Sequence, residues 1–84
     1  MKKLNVEELR EKLNKQSFME DFQGVKQLGL TEFIYLEYNE NEDEDYKYTL
    51  FTSFDGEIID SFSSFEEAIL AVPAYQEEIE KRKK

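Results

Sequence analysis

The residues with the clearest chemical potential lie in one acidic stretch near the middle of the chain. The segment YNENEDEDYKY, residues 38–48, contains seven consecutive polar residues from Asn39 to Asp45, and five of these carry carboxylates. Carboxylates at this density have three common roles: they bind a cation, they imitate the phosphates of a nucleic acid, or they keep a turn solvated. Each role makes its own demand on spacing and on the neighbouring elements.

A metal loop is the role that the spacing supports least. A calcium loop of EF-hand type needs oxygen ligands at positions 1, 3 and 5, a glycine at position 6 and a bidentate glutamate at position 12. Counted from Asn39, position 6 is Glu44 and position 12 is Leu50. The sharp turn and the bidentate clamp are therefore both absent. We expect weak, nonspecific cation binding here and no dedicated metal site.

Imitation of phosphates requires carboxylates on a rigid frame. Alternate residues of a strand lie about 6–7 Å apart, close to the spacing of phosphates along one DNA strand. Glu32, Glu37, Asp60 and the loop Glu40–Asp45 would form such a stripe if they lie beside one sheet. The alternative is that the charge only keeps a flat sheet soluble and its edges unpaired, since a charge run is usually a solvated loop. Both interpretations stay open at the level of sequence.

Catalysis has little support in this chain. It contains no His and no Cys, which removes the usual general base, the thiol nucleophile and the usual zinc ligands. Its three glycines are scattered, so no phosphate-binding loop or G-x-S-x-G motif is present. Carboxylate pairs are so frequent that none stands out as a general acid and base. We therefore expect a protein that is not an enzyme and that uses no cofactor.

The charge is distributed unevenly along the 84 residues. The net charge is −9, but residues 16–80 carry 17 acidic groups against only Lys26 and Lys47, whereas residues 81–84 are all basic. Such a body repels nucleic acids and anionic membranes and attracts basic surfaces. We expect a protein partner with a basic surface, no direct nucleic-acid binding and no membrane association. Without an apolar segment of about 18 residues or a signal-peptide core, a cytoplasmic location is the default expectation.

The N-terminal part of the chain predicts a helix followed by a shorter one. Asn5 and Glu8 have the spacing of a capping box, and an apolar stripe follows at helical spacing. Ser17–Glu20 offers a second capping box, which predicts a short helix through Phe22 that Gly24 ends. A third capping box, Ser64–Glu67, begins the C-terminal helix, where Pro73 should cause a kink or start a new segment.

Three strands are predicted between these helices. Residues 25–30 read as a connector, because Gly29 interrupts any regular pattern. Residues 31–38, 46–54 and 57–62 are rich in β-branched and aromatic residues, and Asp55-Gly56 is the signal of a tight type I′ hairpin. The prediction is an α+β fold: a three-stranded antiparallel meander with the N- and C-terminal helices packed on one face. The 84 residues form one domain, with the basic tail 81–84 as the place where its end would fray.

A two-residue hairpin loop determines which side chains share a face of the predicted sheet. It pairs Thr52 with Ile59 and Leu50 with Ser61. The less charged face, assigned to the core, then carries Tyr46, Tyr48, Leu50, Thr52, Phe54, Ile59, Ile34 and Leu36. The other face carries aromatic residues among carboxylates, which is unusual for an open sheet face. Residues on that face and in the acidic loop are the candidate partner-binding residues: Phe33, Tyr35, Glu37, Glu40, Glu42, Asp43, Glu44, Asp45, Phe51 and Asp60.

The size, the acidity and the helix–sheet–helix layout resemble those of phage and mobile-element inhibitors that mimic DNA, such as uracil-DNA glycosylase inhibitors and some anti-CRISPR proteins. The resemblance carries no motif, so no residue role transfers from it. It implies an inhibitor that docks on the nucleic-acid-binding surface of a partner protein. The alternative is a small structural or assembly protein that self-associates through Phe33, Tyr35 and Phe51. In either case we expect a monomer or a weak homodimer.

Overall fold

Two helices and a four-stranded antiparallel sheet form the fold. The computed structural model describes residues 4–20 and 24–83 of the chain. The elements in order are α1 (Val6–Lys15), β1 (Val25–Gly29), β2 (Ile34–Asn39), a 3₁₀ turn (Glu44–Tyr46), β3 (Tyr48–Thr52), β4 (Ile58–Phe62) and α2 (Phe65–Lys83). The strands lie in the order β1-β2-β3-β4, a simple meander. The predicted α+β class is confirmed, but the prediction of three strands is wrong.

The additional strand is the segment that the sequence pattern assigned to a connector. β1 pairs with β2 from Val25 opposite Asn39 to Gly29 opposite Tyr35. The two buried positions of β1, Val25 and Leu28, are three residues apart, so the alternation typical of a strand is hidden. Pairing with β2 holds this segment extended despite its weak intrinsic preference, because strand propensity depends strongly on the neighbouring strand.

Both main helices begin where their capping residues predict. Asn5 Oδ1 accepts a hydrogen bond of 3.0 Å from the Glu8 amide, and Ser64 Oγ accepts one of 3.1 Å from the Glu67 amide. α2 continues as one helix through Pro73, so no new segment begins there. The second predicted capping box does not start a helix within residues 17–20, because the Met19 amide donates to the Val25 carbonyl at 2.8 Å instead. The rest of that predicted helix, to Phe22, lies outside the described residues.

The core lies between the helices and one face of the sheet. The largest fully buried side chains include Ile34, Leu36 and Leu50, which come from the two central strands. They pack in one cluster with residues of both helices: Leu9 and Leu13 of α1 and Phe65, Ala68, Ile69, Val72 and Ile79 of α2. Both helices therefore cover the same face of the sheet. Two residues assigned to the core by sequence, Tyr46 and Phe54, are instead about half exposed, because both lie outside the paired part of β3.

The β3–β4 hairpin differs from the predicted two-residue turn. The Thr52 amide donates to the Glu57 carbonyl at 2.9 Å, so residues 53–56 form the loop, and Gly56 has a φ of +70°. A type I′ turn needs positive φ at both central residues, but among the described residues positive φ occurs only at glycines. A bulge then shifts the register, so that Leu50 lies opposite Asp60 rather than Ser61. The predicted hairpin register is therefore wrong.

Candidate protein-interaction surface

The second face of the sheet points away from both helices. Directly opposed residues of antiparallel strands share a face, so the register defines two cross-strand rows on it. We call these residues the outer face: Gln27, Gly29, Tyr35, Glu37, Thr49, Phe51, Ile58 and Ser61. The buried side chains of α1 and α2 pack on the opposite face, and no described helix covers the outer face.

An apolar row crosses the middle of the outer face. The rings of Tyr35 and Phe51 are stacked, with their centroids 5.2 Å apart and their planes at 13°. Ile58 continues the row on β4 and is 64% exposed. Burial, followed by the nearby charge of Glu37, raises the pKa of the Tyr35 hydroxyl above its ordinary value. The row therefore presents a rigid aromatic surface with a carboxylate directly beside it.

The neighbouring row is polar. Gln27 Nε2 donates to Glu37 Oε1 at 3.2 Å, and the hydroxyl oxygens of Thr49 and Ser61 lie 3.0 Å apart, within hydrogen-bond distance. These cross-strand bonds hold the polar side chains in place along the sheet. The carboxylate of Glu37 retains further acceptor positions after its bond to Gln27, because each carboxylate oxygen accepts more than one hydrogen bond.

The acidic loop that follows β2 has a defined shape. Asn39 Oδ1 accepts from the Asn41 amide at 3.0 Å, and the Tyr46 amide donates to the Asp43 carbonyl at 2.8 Å within the 3₁₀ turn. Lys47 Nζ donates to the Glu40 carbonyl at 2.8 Å, so the lysine that follows the loop in sequence binds its backbone. We refer to residues 40–45 as the acidic loop. Its carboxylates are displayed on a folded segment rather than on an extended tail.

The carboxylates of the acidic loop and of Glu37 are not paired with a cationic side chain in the described part of the chain. Glu40, Glu42, Asp43, Glu44 and Asp45 are exposed, and none of them, nor Glu37, forms an ion pair with a residue in the described part of the chain. Ion pairs occur on the helices, at i, i+4 spacing: Glu8–Lys12, Glu11–Lys15, Glu77–Lys81 and Glu78–Arg82. Residues 31–62 hold ten acidic groups against one lysine, so this segment alone accounts for the net charge of −9.

A shallow groove joins the outer face to the acidic loop. It has a volume of about 240 Å³ and is lined by Glu37, Asn39, Glu42, Tyr46, Thr49, Phe51, Ile58 and Ser61. We call it the outer groove. Sequence reasoning placed Tyr46 in the core. It left five of the lining residues out of the candidate site: Asn39, Tyr46, Thr49, Ile58 and Ser61. The exposed position of Tyr46 follows from the 3₁₀ turn, for which the sequence carries no clear signal.

Two of the candidate residues, Phe33 and Asp60, lie neither on the outer face nor in the acidic loop. Phe33 immediately precedes β2. Its ring packs against the core cluster and contacts the ring of Phe54 edge-on, with 6.4 Å between the centroids. Asp60 accepts a hydrogen bond of 2.6 Å from the hydroxyl of Tyr75 on α2, which raises the pKa of that tyrosine. The β4 bulge is the cause, because the extra residue turns Asp60 to the face that the helices cover.

Other kinds of site find less support in the described residues. No group of three or more acidic side chains is arranged there to hold a metal ion, and no helix is long and apolar enough to cross a membrane. A second groove of about 340 Å³ lies between β4 and α2, where Ile59 and Ile79 contribute apolar lining and Arg82 is already paired with Glu78.

Comparisons with known proteins identify no relative. No protein-family model matches the chain, and searches of curated proteins and of solved structures find no similar protein. The geometry and the electrostatics of the outer face therefore carry the functional argument by themselves.

Proposed function

We propose that this chain is a non-catalytic protein-binding module that docks its outer face and its acidic loop on a basic surface of a partner protein. In its most specific form, the module is an inhibitor that occupies a nucleic-acid-binding site of that partner. The observation that carries the proposal is the separation of charge: the helices balance much of their own charge, whereas neither Glu37 nor any carboxylate of the acidic loop forms an ion pair among the described residues.

The apolar row gives such a contact a centre. Protein interfaces are most stable where aromatic side chains are buried at the middle and charges lie at the rim. The Tyr35–Phe51 stack and Ile58 provide the apolar centre, and the acidic loop lies at one side of it. Because the stack is already formed, little side-chain entropy is lost when a partner covers it.

The fixed shape of the acidic loop supports the more specific form. A solvated loop needs no internal order, but imitation of phosphates does. Hydrogen bonds from Asn39 and Lys47 organise the loop beside the sheet. Asp60 is no longer part of the proposed stripe, which therefore consists of Glu37 and the acidic loop, with Glu32 on the turn before β2.

Self-association through the same aromatic row is the second candidate, and the exposure of Ile58 favours it. Two outer faces in contact would, however, bring Glu37 and the acidic loop of both copies close together. Like charges placed opposite one another at an interface cost several kcal/mol. A basic partner avoids this repulsion, so it fits the surface better than a second copy does.

The test begins with capture of the partner from extracts of the native host. We expect a nucleic-acid-binding protein whose association with this chain competes with DNA. Binding should weaken steeply as the salt concentration rises, whereas an aromatic contact between two copies would respond little. A partner that binds DNA and this chain together would contradict the inhibitor form of the proposal.

Charge neutralisation then locates the contact. Replacing Glu42, Asp43, Glu44 and Asp45 by Gln or Asn should weaken binding at least tenfold, about 1.4 kcal/mol, mainly through a slower association rate. The matched control removes the same number of charges from the first turns of the two helices, at Glu7, Glu8, Glu66 and Glu67. If both variants lose the same affinity for the partner, the total charge is responsible and the acidic loop is not the contact.

A further inference from the structure

We infer that the outer groove is a binding site for one arginine side chain of the partner protein. The inference rests on the proposed docking function and specifies what the groove would receive. The outer groove differs from the rest of the acidic surface because it is concave and combines carboxylates with aromatic walls.

The size of the outer groove restricts its occupant. Pockets that hold small-molecule ligands and cofactors usually measure about 300–1,000 Å³. At about 240 Å³, and open on the surface of the sheet, this groove is smaller than that range. It suits a single side chain that is delivered by a larger surface.

The chemistry of the lining selects a ligand that donates hydrogen bonds. Glu37 on β2 and Glu42 in the acidic loop bring two carboxylates from different elements to the same groove. The hydroxyl oxygens of Thr49 and Ser61 can accept further bonds. Arginine has five N–H donors and no acceptor, so it can bond to several of these oxygens at once.

The aromatic residues distinguish arginine from lysine. Phe51 and Tyr46 both line the outer groove, and Tyr46 is 55% exposed. A planar guanidinium group stacks on aromatic rings and is more weakly hydrated than an ammonium group. No lysine or arginine of the described chain lines the groove, and the nearest cation in sequence, Lys47, binds the backbone of Glu40. The groove therefore has acceptors for a cation that the described residues do not provide.

Two short blocked peptides test the inference, each with glycines around one central residue, which is arginine in one and lysine in the other. NMR titration of the labelled protein should show that the arginine peptide shifts the amide signals of Glu37, Thr49 and Ser61. We expect it to bind at least fivefold more tightly than the lysine peptide. Equal binding of the two peptides would overturn the inference, because it would show attraction by charge alone, and so would the absence of binding.

Two substitutions separate the outer groove from the surrounding charge. Ser61→Val fills part of the groove with an apolar side chain that strands accept, so it should reduce binding of the arginine peptide at least threefold. Gly29→Val is the matched control, because it adds a similar side chain at the opposite edge of the outer face, where nothing lies within 4 Å of an added Cβ. If Ser61→Val binds the arginine peptide as the wild type does, the groove is not the site.

The outcomes for the inference and for the proposed function are distinguishable. If the two peptides bind equally and neutralisation of the acidic loop still weakens binding of the captured partner, electrostatic docking stands and the arginine site falls. If loop neutralisation has no effect on the captured partner, the docking function falls, whatever the peptides show.

Discussion

Replacing each glycine of the chain by alanine, one at a time, tests how the structure holds the acidic loop. The chemical change is the same at all three positions, but the surroundings differ. Gly24 has a φ of +85°, and an added Cβ would lie 2.5 Å from Asn41 Nδ2 and 2.8 Å from Glu40 Cγ. Gly56 has a φ of +70° with open space around it, and Gly29 has open space and no positive φ.

The expected free energies of unfolding follow from these differences. A left-handed backbone costs a non-glycine residue about 1–2 kcal/mol, and alanine gains about 0.4–1 kcal/mol by restricting the unfolded chain. Gly56→Ala should therefore lose about 1 kcal/mol. Gly24→Ala should lose about 2–3 kcal/mol, because crowding against the acidic loop adds to the backbone strain. Gly29→Ala should be neutral or up to about 1 kcal/mol more stable, since a glycine inside a strand is unfavourable.

Urea denaturation followed by circular dichroism measures all three variants, and an unchanged dependence on urea concentration shows that the unfolded states are comparable. Two results would refute the reasoning. One is a loss at Gly24→Ala that is no larger than the loss at Gly56→Ala, which would mean that the loop does not lie against Gly24. The other is a clear loss of stability at Gly29→Ala, which would mean that the strand is not open at that position.

Three further predictions concern the acidic loop, a partly buried polar pair and a tyrosine. Neutralising residues 42–45 should leave the free energy of unfolding unchanged or raise it at low ionic strength, because the four charges repel one another; a loss in urea denaturation would contradict this. Thr31→Val should cost about 2 kcal/mol, since it removes the 2.6 Å hydrogen bond that the Thr31 hydroxyl donates to Oε1 of the buried Gln76 and the bonds that it accepts from the amides of Phe33 and Ile34. Adding Gln76→Leu should recover part of that loss in the same assay, whereas purely additive losses would show that the pair is not coupled. Asp60→Asn should lower the pKa of Tyr75 toward about 10 in an ultraviolet absorbance titration, and an unchanged curve would refute the contact. Because the folded pKa is raised, the contribution of Tyr75 to stability is complete below pH 10 and is lost as the pH rises above it.

Local sequence patterns determined the elements whose signals are contained within a few residues. The caps at Asn5 and Ser64 predict where α1 and α2 begin, because a side-chain oxygen satisfies an amide three residues further along the same chain. The clustering of β-branched and aromatic residues likewise predicts β2, β3 and β4, with ends that differ by a few residues. The accumulation of acidic residues in the middle of the chain is a property of the sequence alone.

The tertiary structure decided whatever depends on pairing between distant segments. β1 exists because β2 lies beside it, and the Gly29 that hides it in the sequence remains compatible with an extended backbone. The four-residue loop and the bulge of the β3–β4 hairpin shift the register by one residue, which moves Asp60 to the helix-covered face and Ser61 to the outer face. A one-residue shift reverses the face of a side chain because successive residues of a strand point in opposite directions. The acidity of the surface can therefore be predicted from the sequence, but the register of the sheet determines which strand residues line the outer groove.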